Sequence, residues 1–145
     1  MAKNIEIREM RISDFSDVYK VWESSQPGVR VGPSDTRENI EKYLKRNPGL
    51  SQVAMVDSKL VGAVLCGHDG RIGIIHRLAV YNEYRRMGVG KALIEKCQSG
   101  LLGSGISRCM ILIFRENADG VAFWNEMGWQ DRDYLSIMFK KLDSE

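Results

Sequence analysis

YNEYRRMGVGKALIEKC, Tyr81–Cys97, is the stretch where the chain changes period. Before it, RIGIIHRLAV (Arg71–Val80) is an apolar, β-rich run. After it, Val89, Leu93, Ile94, Cys97 and Leu101 recur at helical spacing. Between the two lie a basic pair, Arg85-Arg86, and two glycines, Gly88 and Gly90, just ahead of a helix expected to begin near Lys91. The first amides of a helix have no partner within it, and the helix dipole adds partial positive charge there. Glycine lets the backbone approach an oxyanion or adopt a positive φ. The loop therefore has two readings: a cradle for a phosphate or pyrophosphate, or a glycine turn that opens an amphipathic helix. It is neither of two familiar phosphate loops. GxxxxGK[ST] fails because Arg85 stands five residues before Gly90 and Ala92 follows Lys91; GxGxxG fails because Leu93 replaces the last glycine.

Upstream, IEIREM (Ile5–Met10) alternates as a strand. Ser13 is placed to cap a helix carrying Phe15, Val18, Tyr19 and Trp22. QPGVRVGPSD (26–35) is rich in breakers and reads as a loop. Asp35 and Glu38 have capping-box spacing before a second helix with Ile40, Tyr43 and Leu44, which Asn47-Pro48-Gly49 stops. SQVAMV, LVGAVLCG and RIGIIHRLAV follow as a three-strand antiparallel meander, turned at Asp57-Ser58-Lys59 and Asp69-Gly70.

Downstream, Gly103-Ser104-Gly105 closes the glycine-loop helix, and RCMILIF (Arg108–Phe114) is a buried strand. A short helix runs from Ala118 to Met127, capped by Asn117 and stopped by Gly128. The tail DYLSIMFKKL (133–142) alternates as a final strand. The order β-α-α-β-β-β-α-β-α-β predicts an α/β (α+β) fold with a largely antiparallel central sheet.

Composition narrows the function. A chain of 145 residues with 43% hydrophobic residues suits a single soluble domain spanning 1–145. A net charge of +2, with dispersed basic residues, argues against a nucleic-acid partner. Cys66, Cys97 and Cys109 lie in apolar segments without CxxC spacing and read as structural thiols of a reducing compartment. Two histidines without a Cys/His cluster leave no metal site to expect. MAKNIEIREM lacks a leader's apolar core, and no run is long enough to cross a bilayer, so a cytoplasmic protein without a membrane partner is expected.

LAVYNEYRRMGVGKALI resembles the acetyl-CoA-binding segment of the GNAT N-acetyltransferases, [RQ]-x-x-G-x-[GA] after a hydrophobic strand, with Arg85, Gly88 and Gly90 in its fixed positions. ENADGVAFWNEMGW resembles the family's later N-x-x-A-x-x-F-Y-x-x-x-G-F segment at Asn117, Phe123, Gly128 and Trp129. The resemblance covers nearly the whole chain. It implies a GNAT fold, with six or seven strands flanked by about four helices, and acetyl-CoA as co-substrate without metal. In such a fold the amides of Arg86, Met87, Gly88, Val89, Gly90 and Lys91, leading into Ala92, would hold the pyrophosphate beside Arg85. Leu78, Ala79 and Val80 would pair with the pantetheine arm, and Asn117 would reach it too. Pantetheine carries amides, which an open strand edge can match.

The implied reaction is direct attack of an amine on the thioester in a ternary complex. Only a neutral amine has a lone pair; at pH 7 deprotonation costs about 4.6 kcal/mol for a lysine and about 1.4 for an α-amine. A base or water chain, an oxyanion donor such as the Leu78–Val80 amides, and an acid for the thiolate would complete the site. Many relatives carry a tyrosine acid where this chain has Trp124, whose indole can donate a hydrogen bond but is no useful proton donor. Leu112 stands where ribosomal-protein-type members have a carboxylate. His76, on the strand entering the pantetheine segment, is the candidate base; its alternative is a histidine tied to neighbouring groups. Glu116 is a lesser candidate base, and Tyr134 is the candidate replacement for the phenol. His68 is expected to be solvent-exposed. Arg30 and Arg37 border the acceptor side and either attract an acidic substrate or are solvated. The acceptor is an amine-bearing small molecule, peptide or protein, and a homodimer is compatible. The alternative function is a non-catalytic acyl-CoA sensor.

Overall fold

A computed structural model describes residues 4–26 and 28–143. Its sheet grows outward from two tight connections. Asp57 and Ser58 both adopt positive φ (49° and 65°), the twist-matched two-residue turn, and so join β2 (Gln52–Val56) to β3 (Lys59–His68). The Asp69 Oδ1 accepts from the amides of Arg71 and Ile72 and closes the turn from β3 into β4 (Gly73–Val80). β1 (Ile5–Glu9) lies antiparallel against β2, and β5 (Cys109–Ile111) lies parallel to β4. The resulting five-stranded sheet has the order β1-β2-β3-β4-β5.

Helices cover both faces. On one side α1 (Phe15–Ser24) and α2 (Arg37–Arg46) pack Val18, Val21, Trp22 and Ile40 onto Val53, Ala63 and Leu65. On the other, α3 (Val89–Gly103) and α4 (Ala118–Glu126) set Leu93, Ile94, Cys97 and Trp124 on Val61, Val64, Cys66 and Ile75. The spacing read in the sequence for α3 is the set of its buried residues: Val89, Leu93, Ile94, Cys97 and Leu101. Fully buried side chains of this size contribute about 1.5–3 kcal/mol each. β3 carries buried residues on both faces, as a strand sandwiched between helices must.

Two expected caps are corrected. Thr36, not Asp35, caps α2: its Oγ1 accepts from the Asn39 amide at 3.1 Å. Ser13 does not cap α1; it lies in a 3-10 turn, Ile12–Asp14, where the Asp14 carboxylate accepts from the Arg11 amide. In both places two capping-type residues are adjacent. Thr36 takes the role from Asp35, whereas Asp14 stands at the N-cap of α1 but turns its carboxylate back to Arg8 and the Arg11 amide and makes no side-chain cap.

The larger correction concerns the sheet, which among the described residues has five strands rather than six or seven. The 133–142 tail forms no strand, and the expected Arg108–Phe114 strand is cut to Cys109–Ile111. Alternation marks one buried face and needs a neighbouring strand to bury it against. The tail lies beside none, so both sides stay wet: Leu135 and Ile137 are exposed, and so are Met138 and Phe139.

Candidate active site

The three apolar runs place the site by the way β4 leaves its neighbours. β4 pairs with β5 only at Gly73↔Cys109, Ile74↔Met110 and Ile75↔Ile111. From His76 to Val80 it keeps β3 on one side, and no described strand lies on the other. Leu78, Ala79 and Val80 therefore border an open strand edge.

Within that segment the ladder slips. Ala63 faces Ala79 but Leu65 faces His76, so Arg77 and Leu78 together stand opposite Val64. This is a β-bulge on β4, and Arg77 occupies it with φ 58°, in the left-handed region. The bulge lets two consecutive side chains, His76 and Arg77, reach the α1–α2 side, while Leu78 returns to the α3 side. The His76 Nε2 lies 3.2 Å from the Tyr43 hydroxyl of α2, with the rings edge to face. Burial, assisted by the Arg77 charge and opposed by Asp35, pulls the His76 pKa down to about 4. Burial likewise pushes the Tyr43 phenol well above its ordinary range.

Arg77 is held at both ends. Its carbonyl accepts from the Trp22 Nε1 at 2.8 Å. Its Nε and Nη2 donate to the Asp35 carboxylate, the closest contact being 3.1 Å. Asp35 is only 5% exposed and also accepts from the Gly32 amide at 2.7 Å. Tyr43 and Arg77 were not expected at the site from sequence, and Trp22 and Asp35 were expected only as core and as part of a loop bordering the acceptor side. The available signal was His76-Arg77 itself: two adjacent polar residues in an apolar strand break its alternation.

At the end of β4 the glycine loop turns into α3. Arg86 and Gly88 have φ of 65° and 84°, and Gly88 is the N-cap. Such backbone turns amides toward a common point, as in an anion-binding nest. The Ala92 amide donates to the Gly88 carbonyl at 3.0 Å. Among the described residues, no amide from Arg86 to Lys91 donates to a protein acceptor. The two glycines serve different ends. A Cβ at Gly88 would meet nothing within 4 Å, so that face is open. A Cβ at Gly90 would lie 3.3 Å from the Phe123 ring, so Gly90 makes room for α4. Arg85 turns back, its Nε donating to the Val80 carbonyl at 3.2 Å, while Met87 and Lys91 are exposed.

The remaining candidates scatter. Asn117 caps α4, its Oδ1 accepting from the Gly120 amide at 3.1 Å. It also lines a cavity of about 310 Å³ with Gly28, Arg30, Phe114, Glu116 and Asp119. There the Arg30 guanidinium sits 4.0 Å above the Phe114 ring and 3.5 Å from the Glu116 carboxylate. Trp124 is 7% exposed, edge to face with both Phe123 and Trp129 in the α3-side core. Tyr134 is 73% exposed, and its hydroxyl accepts from Arg132. Leu112 and Arg37 are exposed, whereas His68 is half-buried, its Nδ1 accepting from the Gly70 amide. The three cysteines are free. Contact with Cys66 and burial push the Cys97 thiol far up, and burial takes Cys109 to about 12, so both are inert at neutral pH. Among the described residues no helix is long and apolar enough to cross a membrane.

The acetyltransferase (GNAT) family profile matches residues 12–129. An acetyltransferase of Photorhabdus laumondii is 31% identical over 140 residues, covering 94% of each chain. One of Sodalis glossinidius is 28% identical over 139 residues, covering 95% of this chain and 96% of its own. Among solved structures, the PaiA N-acetyltransferase of Thermoplasma acidophilum in complex with coenzyme A superposes with a TM-score of 0.78. It is 22% identical and covers 90% of this chain and 92% of its own. An aminoglycoside N-acetyltransferase in complex with CoA gives 0.77 at 18% identity, covering 97% of each.

Proposed function

Because the chain belongs to the acetyltransferase (GNAT) family, we propose that it is a cytoplasmic, single-domain N-acetyltransferase moving acetyl from acetyl-CoA to an amine. The observation that carries this reading is the unpaired β4 edge running straight into unbonded loop amides. A ligand with an amide-bearing arm and a diphosphate at its end has a use for both features. The CoA complexes of the PaiA and aminoglycoside enzymes support the same ligand here. The residues fit it: the open edge at Leu78–Val80 offers strand donors and acceptors once Arg85 releases the Val80 carbonyl, and Arg86–Lys91 offer the diphosphate nest. Arg85 and Arg86 add positive charge, and Asn117 borders the cavity beside the arm.

The acceptor amine enters on the α1–α2 side, between the 28–35 loop and β4. There it meets His76, which burial keeps neutral and at the same time makes a weaker base, so it relays the amine's proton to water rather than holding it. Attack on the thioester carbonyl places negative charge on its oxygen, which an amide of the open β4 edge stabilises. Trp124 shapes the pocket wall, and water protonates the departing thiolate. Small amines are the favoured acceptors, in keeping with an aminoglycoside enzyme trapped with a CoA–acetylneamine bisubstrate analogue.

The test has two arms. Calorimetry with acetyl-CoA should show micromolar-scale affinity, lost in a Gly88→Glu, Gly90→Glu double variant; equal binding by both proteins removes the cofactor assignment. Thiol release across a broad amine panel then separates enzyme from sensor. The buried Trp124 in place of a phenol favours the sensor reading, which tight cofactor binding with no turnover on any amine would establish.

A further inference from the structure

A positively twisted, non-glycine residue in the middle of a strand costs energy and needs a cause. Arg77 is such a residue, and it is anchored twice: its carbonyl by Trp22 of α1, its guanidinium by Asp35 at the end of the 28–35 loop. Asp35 in turn folds its own loop, accepting from the Gly32 amide while the Asp35 amide donates to the Gly32 carbonyl at 3.0 Å. The carboxylate is nearly out of solvent at 5% exposure, a costly place for a charge without such a partner. Thr36 caps α2 with its own side chain, so Asp35 is not needed there.

We propose that Asp35 and Arg77 form a clamp that positions the acceptor loop against the thioester end of the cofactor strand, and so governs use of the amine rather than binding of the donor. The inference rests on the acetyltransferase reading above. One end of the clamp is the bulge at Arg77 and Leu78, just past Ile75, the last β4 residue paired with β5. The other end is the loop carrying Gly28 and Arg30, which line the cavity with Asn117. The diphosphate nest lies beyond Val80, outside the clamp's reach. Loosening the clamp therefore moves acceptor-side groups relative to the thioester and leaves the grip on the donor alone.

Two variants separate positioning from folding. Asp35→Asn keeps size and an oxygen for the Gly32 amide but removes the charge. Arg77→Gly keeps a backbone able to hold the left-handed φ and removes the guanidinium. Both are expected to bind acetyl-CoA with unchanged affinity by calorimetry. Both are expected to lose roughly 10- to 100-fold in kcat/KM for the best amine of the panel, as misplaced reactants do. Asp35→Glu should recover part of the loss. Hydrogen exchange should quicken at Val29–Gly32 and Leu78 and stay unchanged in α3. Wild-type kcat/KM in both variants, or donor affinity falling in step with turnover, overturns the clamp. Wild-type turnover on no amine sinks the acetyltransferase reading instead. The exchange pattern then decides the clamp alone, and unaltered protection of the loop in Asp35→Asn refutes it.

Discussion

The His76 imidazole and the Tyr43 hydroxyl meet at 3.2 Å across the boundary between β4 and α2. Burial keeps that imidazole neutral until about pH 4. The ring should therefore titrate by NMR near 4, and a midpoint at the ordinary value of about 6.5 would contradict the burial. The sign for stability follows. The unfolded chain binds its proton first, so the neutral-pH stability is lost as pH falls from about 6.5 to about 4, by up to about 3 kcal/mol. His76→Gln should flatten that part of the stability–pH curve. If His76 is the base, the acid limb of the rate profile lies near 4 and vanishes in the variant.

Gly88 should tolerate no side chain without cost. Its φ of 84° disfavours alanine by about 1–2 kcal/mol, although nothing blocks the Cβ in space. Gly88→Ala is expected to lower the midpoint of thermal unfolding and weaken acetyl-CoA binding by calorimetry. Gly90→Ala presses on the Phe123 ring instead, so its effect should appear in the ring's NMR shifts even without ligand.

Arg8 grips Asp14 through two hydrogen bonds of 2.8 and 2.9 Å, and Asp14 also takes the Arg11 amide. Burial alone would raise the Asp14 pKa; the hydrogen bonds and charge of Arg8, with the Arg11 amide, outweigh it and hold the carboxyl below the usual range. Its stabilisation is present above the unfolded pKa of about 3.9 and disappears as pH falls through the lower folded value. Asp14→Ala leaves Arg8 and the Arg11 amide without their acceptor and should cost about 2–3 kcal/mol in denaturant titrations at pH 7. An unchanged unfolding midpoint would show the pair to be ornamental.

Trp124→Ala should cost about 3–5 kcal/mol, since a large ring is removed from between Phe123 and Trp129 under α3. Trp124→Tyr asks the catalytic question separately. It puts a phenol at the position where the family resemblance implies one, and faster thiol release per bound acetyl-CoA is the expected result.

The helices and the meander were legible because their patterns record burial directly: α3 buries the residues its spacing names. The glycine loop was legible as a motif, but only geometry separates Gly88, open to solvent, from Gly90, packed on Phe123. The clamp was hidden because Asp35 imitates a helix cap and Arg77 depends on a bulge, which is set by pairing between distant segments. The tail misled because alternation reports a face that could be buried, not the neighbour that would bury it. His76 stood out by residue type, yet its partner Tyr43 comes from a helix 33 positions away and left no local trace.

The three rungs that join β4 to β5 are the narrow neck by which β5 connects to the rest of the sheet. Past that neck β5 ends, and β4 runs on from His76 to Val80 like one side of an open zip. A guest lying in the gap would act as the missing rungs, so an occupied molecule should shed α4 to proteases more slowly than an empty one. On the proposed acetyltransferase reading, loading the donor first would stiffen the wall that the amine then meets.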